Sequence, residues 1–73
     1  MELSIKIRAE TEQEMRLRVA DDVTYEQVLE ELGINREEVL VLRNGVSVPD
    51  DEHVAEKGAL NAEITIIRIV SRG

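Results

Sequence analysis

Residues 2–8 alternate. Leu3, Ile5 and Ile7 fall on one side, while Glu2, Ser4, Lys6 and Arg8 fall on the other. Period two over seven positions predicts a strand with one wetted face. Residues 14–20 repeat the pattern, with Met15, Leu17 and Val19 inward and Glu14, Arg16 and Arg18 outward, and the polar link 9–13 makes the two a hairpin. The period then changes. Tyr25, Val28, Leu29 and Leu32 are spaced i, i+3, i+4, i+7, one stripe of a helix. Thr24 with Gln27 three residues on forms a capping box, and Gly33 supplies the left-handed stop. Residues 39–43, Val-Leu-Val-Leu-Arg, do not alternate. Such a run suits a strand covered on both faces, or one whose outer face is a binding surface. Asn44-Gly45 is a two-residue hairpin turn. It returns the chain through 46–48 until Pro49, which lacks a ladder donor, ends the strand. Residues 50–61 are a polar loop. Residues 62–70 form the last strand, with Ile64 and Ile66 on one face and Thr65, Ile67 and Ile69 on the other.

The order is therefore two strands, a helix, two strands, a loop and a strand. One short helix must lie across one face of a sheet, which is an α+β arrangement. The Ile-rich last strand is expected at the centre, beside the first. Seventy-three residues leave room for a single domain, and 25 Val, Ile, Leu and Met side chains supply its core, with Tyr25 the sole aromatic residue. The inward set is expected to be Leu3, Ile5, Leu17, Val19, Val28, Leu32 and Ile66.

Composition narrows the chemistry. The sequence has no Cys and a single His, His53, so it has neither a thiolate metal site nor a His-based catalytic set. No catalytic residue and no metal site is assigned. Asp50, Asp51 and Glu52 are read as a solvated turn with acids at the helix start, His53 as a surface residue, and Lys6 and Lys57 as surface lysines. Tyr25 is expected to pack helix on sheet with its hydroxyl in water. Nine basic residues against sixteen acidic give a net charge of −7, which repels a polyanion, so no nucleic acid is expected as partner. No apolar run approaches membrane-spanning length and the N-terminus has no secretory pattern, so the expectation is a cytoplasmic monomer with no membrane attachment.

Two segments carry a family resemblance. One is residues 39–46, Val-Leu-Val-Leu-Arg-Asn-Gly-Val, with Pro49. The other is residues 63–73, Glu-Ile-Thr-Ile-Ile-Arg-Ile-Val-Ser-Arg-Gly. With the order of elements, they make the chain resemble the ubiquitin-like β-grasp proteins. Within these it is most similar to the MoaD/ThiS group of small sulfur carriers and the small archaeal ubiquitin-like modifier proteins. The resemblance implies a mixed four- to five-stranded sheet with one helix across one face, a domain over residues 1–70, and a flexible tail of Ser71, Arg72 and Gly73. It implies that the Gly73 carboxylate is adenylated by a ubiquitin-activating-type enzyme. The product becomes a thiocarboxylate, passed to a sulfur-accepting synthase, or an isopeptide bond to a target lysine. ATP is then used by the partner, and no cofactor is bound by this chain. Arg72 departs from the family, which usually has a second glycine there. Thiamin, molybdopterin, tRNA thiolation and protein conjugation all stay open as destinations.

The tail's requirements are physical. Three residues past Val70 reach about 10 Å, and a terminal glycine allows the closest backbone approach. Leu40, Leu42, Ile67 and Ile69 are expected to form an exposed apolar patch that meets a partner. A β-grasp interaction domain that binds through this sheet and never reacts is the alternative.

Overall fold

The computed structural model describes residues 1–69. The elements are β1 (Glu2–Arg8), β2 (Glu12–Arg18), α1 (Tyr25–Leu32), a 3-10 turn at Arg36–Glu38, β3 (Val39–Arg43), β4 (Val46–Ser47) and β5 (Asn61–Arg68). They build one five-stranded sheet in the order β2-β1-β5-β3-β4. β5 lies at the centre, parallel to β1 and antiparallel to β3, as its isoleucines require. The expected ubiquitin-like β-grasp, α+β with one helix packed across a mixed sheet, is the observed architecture. The domain boundary at 70 and the tail lie outside the described residues.

The helix faces the sheet side that carries Leu3, Ile5, Ala62, Ile64, Ile66 and Val41, and closes the core with Tyr25, Val28 and Leu29. Its ends follow the sequence signals. The Thr24 hydroxyl accepts from the Gln27 amide at 3.2 Å, and the Gln27 side chain accepts from the Thr24 amide at 2.9 Å. Gly33, at φ 71°, turns the chain out of the helix. Asn44 and Gly45 both take positive φ, 55° and 79°, as a primed hairpin turn requires.

Several boundaries move. β2 begins two residues earlier than alternation suggested and ends at Arg18, because the 9–11 turn is tighter than a five-residue link. It is also an edge strand, with no strand paired beyond it among the described residues, so its inward set is only partly covered. Met15 keeps 39% of its surface exposed, and Leu17 and Val19 are half-buried. Leu32, at the end of the helix, is likewise half-buried. β4 is two residues long, although the Val48 amide still donates to the Val41 carbonyl at 3.1 Å. β5 ends at Arg68 rather than at 70.

The 50–61 segment is polar by composition but anchored by Val54, which is buried beside Val23. Its backbone finishes the helix start. The Tyr25 amide donates to the Glu52 carbonyl at 3.1 Å, and the Glu26 amide to the Asp50 carbonyl at 2.9 Å. The Val54 amide donates to the Val23 carbonyl at 2.9 Å. Donors at the first turn of a helix lack intrahelical partners, so the loop satisfies what the helix leaves open. His53 is exposed and clamps the same junction, its Nδ1 lying 2.6 Å from the Asp22 carbonyl oxygen.

Tyr25 departs from expectation. It is 3% exposed, and its hydroxyl donates to the Val54 carbonyl at 3.4 Å rather than reaching water. Burial raises its phenol pKa above the ordinary 10.0; Arg43 pulls it back and Glu52 adds to the rise. The folded state therefore holds the phenolic proton more tightly than the unfolded chain. The stability this gives is fully present below pH about 10 and is lost as pH rises through the folded-state value. Tyr25 being the sole aromatic residue, absorbance at 295 nm should show its ionisation at a higher pH in the native protein than in urea. Leu3→Ala, in a fully buried site, should cost about 2–5 kcal/mol in urea unfolding. Leu60→Ala, at an 84% exposed site, should change stability by less than about 0.5 kcal/mol.

Candidate functional site

The sheet face turned away from the helix is set by alternation. From β3 it receives Leu40 and Leu42, from β5 Glu63, Thr65 and Ile67, and from β1 Ser4, Lys6 and Arg8. Register then decides which of these touch. Ile67 lies opposite Leu40 on one side and beside Arg8 on the other, and Thr65 lies between Leu42 and Lys6. Three of the four expected patch residues, Leu40, Leu42 and Ile67, thus form one apolar tract around Thr65. They are half-buried because each shields the next.

Ile69 follows the end of β5 and is 58% exposed. Its amide still donates to the Glu38 carbonyl at 3.0 Å, so the chain is held in the ladder one residue past the strand proper. The tract therefore lies at the end of the sheet from which the chain runs on to Ser71, Arg72 and Gly73, which are outside the described residues. Lys6 and Arg8 flank it, with Glu12 of β2 at 4.0 and 3.5 Å from them.

A second feature at this end escaped the sequence. Behind β5, on the helix side, a hollow of about 240 Å³ is lined by Ile7, Ile34, Val39 and Ile66, with Glu38 and Arg68 at its rim. It forms because the helix stops at Gly33, leaving the last residues of β1 and β5 partly uncovered. A strand pattern alone does not tell where the helix stops relative to it.

Charge is divided between the faces. Eleven of the sixteen acidic residues lie between Asp21 and Glu56, mostly on the helix and its adjoining loops, with only two of the nine basic ones. The outer sheet face is mixed. Asp50, expected at a solvated turn, has its carboxylate 3.8 Å from Arg36, which also binds Glu26 at 3.0 Å. Among the described residues, no group of three or more His, Asp or Glu is arranged to hold a metal ion, and no helix is long and apolar enough to cross a membrane.

The profile of small archaeal modifier protein 2 matches residues 1–70. The chain belongs to this family of ubiquitin-like modifiers. An uncharacterized protein from Archaeoglobus fulgidus is 37% identical over all 73 residues of both chains. Among solved structures, SAMP1 from Haloferax volcanii superposes with a TM-score of 0.70 over the whole of both chains at 21% identity. A ubiquitin-like protein from Caldiarchaeum subterraneum superposes at 0.66, covering 99% of this chain and all of that one, at 17% identity. At these identities the two structures speak for the fold, and the family match speaks for the class of protein.

Lys6 and Arg8 set positive charge beside the apolar tract, opposite Thr65 and Ile67 in the register. Lys6→Ala with Arg8→Ala should leave urea stability within about 1 kcal/mol, since exposed ion pairs contribute little. It should make binding of any partner to this face less sensitive to salt, as read by titration at two ionic strengths.

Proposed function

We propose that the chain acts as a carrier or modifier whose Gly73 carboxylate is activated by a separate adenylating enzyme. The observation that carries this reading is the match to small archaeal modifier proteins over residues 1–70, which takes in every strand and helix of the described residues. A supporting observation is the apolar tract of Leu40, Leu42 and Ile67 at the end of β5 that leads to the last residues.

The division of labour follows from what the chain lacks and what it offers. The enzyme binds ATP. A Gly73 carboxylate oxygen attacks the α-phosphorus, and pyrophosphate leaves. The carboxylate is a poor acyl donor because its leaving group would be an oxide; the acyl-adenylate expels AMP instead. Attack by hydrosulfide gives a thiocarboxylate, attack by a lysine amine gives an isopeptide bond, and each loses one proton. In either case AMP takes the bonding electrons. Beyond that carboxylate, the small protein supplies no acid, base or nucleophile to these steps. It supplies a docking face and a chain end without a Cβ, which the partner's nucleotide site can approach closely.

Docking and chemistry are then separable. Ile67→Asp puts a charge into the apolar tract and should weaken binding of the activating enzyme about tenfold or more, a change of roughly 1.4 kcal/mol or more, with the circular dichroism spectrum retained. Deletion of Gly73 should abolish ATP–pyrophosphate exchange and leave the binding titration nearly unchanged. Arg72→Gly should keep or raise exchange, because it removes the side chain that departs from the family's pattern. Absence of exchange in both the parent and Arg72→Gly would leave the non-reactive interaction domain as the correct reading.

A further inference from the structure

The β2 edge is open, and its sequence is complementary to itself. Met1 and Val19 exchange both of their backbone hydrogen bonds, at 2.9 and 3.0 Å. In an antiparallel pair, bonded and non-bonded pairs alternate. With the register Leu3↔Leu17, Ile5↔Met15 and Ile7↔Gln13, those pairs are bonded to β1. The N–H and C=O groups of Glu12, Glu14, Arg16 and Arg18 therefore point away from the sheet, and among the described residues no strand meets them. Their side chains all lie on the outer sheet face.

Edges of this kind are templates for another strand, and scattered charge usually guards them. Here the charge is ordered: two acids are followed by two bases at every second position. A second copy laid antiparallel, with its two-fold axis at Met15, brings Glu14 opposite Arg16 and Glu12 opposite Arg18, each twice by symmetry. In this register the residues with outward backbone groups face one another, so all four pairs can form ladder bonds. On the helix side, Met15 meets Met15 and Leu17 meets Gln13, covering side chains that the single chain leaves partly exposed, Met15 at 39%. Sliding by two residues along either strand puts Glu14 on Glu14 or Arg16 on Arg16 at the axis. Parallel in-register pairing sets like beside like throughout. Opposite charges across a ladder stabilise and like charges destabilise, so one arrangement is selected.

We propose that this edge is a self-association surface, on which two copies pair through β2 into a continuous ten-stranded antiparallel-joined sheet. This departs from the monomer expected from the sequence. It is independent of the modifier reading: the apolar tract lies on β3 and β5, and β1 separates it from the paired edge.

The test is sedimentation of the intact chain over a range of concentrations up to millimolar, at low and high salt. The apparent mass should rise from 8.3 kDa toward twice that value, and more readily at low salt. Arg16→Glu with Arg18→Glu makes the edge wholly acidic; Glu12→Arg with Glu14→Arg makes it wholly basic. Each double variant alone should associate about tenfold or more weakly than the parent, and an equimolar mixture should recover association, since all four pairs become opposite again. As a check that needs no substitution, amide exchange at Glu12, Glu14, Arg16 and Arg18 should slow with increasing protein concentration. A parent that stays monomeric at low salt overturns the proposal. So does association unchanged in both variants, a mixture that does not associate, or a dimer in which these four amides stay unprotected.

Discussion

The parallel pairing of β1 with β5 is the interaction on which the remainder of the structure depends. It joins the first strand to the last, across more than fifty intervening residues, and it aligns Leu3 with Ala62, Ile5 with Ile64 and Ile7 with Ile66. That alignment creates the apolar surface that the helix covers. A helix of eight residues has little stability alone; it persists because Tyr25, Val28 and Leu29 have this surface to bury against. A parallel pair also requires a crossover, and the helix with the β3–β4 hairpin is that crossover.

The same register governs the opposite face. A strand's side chains alternate without choice, so fixing Ile64 and Ile66 inward commits Thr65 and Ile67 outward. Antiparallel β3 then sets Leu40 against Ile67. The apolar tract is thus not an independent decoration of the surface. It comes from β3 and β5 carrying hydrophobic residues at consecutive positions, which a core on one side cannot absorb. With the helix and its loops holding most of the acid, one side of the molecule is strongly anionic and the other offers aliphatic contact beside mixed charge.

The sequence made much of this legible because the informative residues act locally. Thr24, Gln27 and Gly33 bound the helix through bonds to near neighbours, and Asn44-Gly45 fixes a turn through its own dihedral angles. The Ile-rich composition of 64–69 reported a central strand directly. What stayed hidden depended on partners distant in the chain. Val54 reads as one apolar residue in a polar loop until its amide is seen bonded to Val23. Tyr25 reads as a half-wetted side chain until the same loop closes over its hydroxyl. Met15 has the pattern of a core residue, but the pattern does not state that, among the described residues, β2 has no strand paired beyond it. Of the candidate site, Leu40, Leu42 and Ile67 were recoverable because alternation and register are both consequences of strand geometry. The hollow under Arg68 was not, since it depends on where the helix stops over the sheet.

The central position of β5 has a mechanical consequence. A force applied beyond Ile69 and resisted at the other end of the molecule acts along β5 while ladders hold it on both sides. The bonds to β1 and β3 lie across that force, so they are loaded together in shear rather than opened one after another from an end. An edge strand such as β2 would peel. Whatever continues from the strand that is hardest to extract can be gripped or left attached to a load while the sheet behind it stays folded.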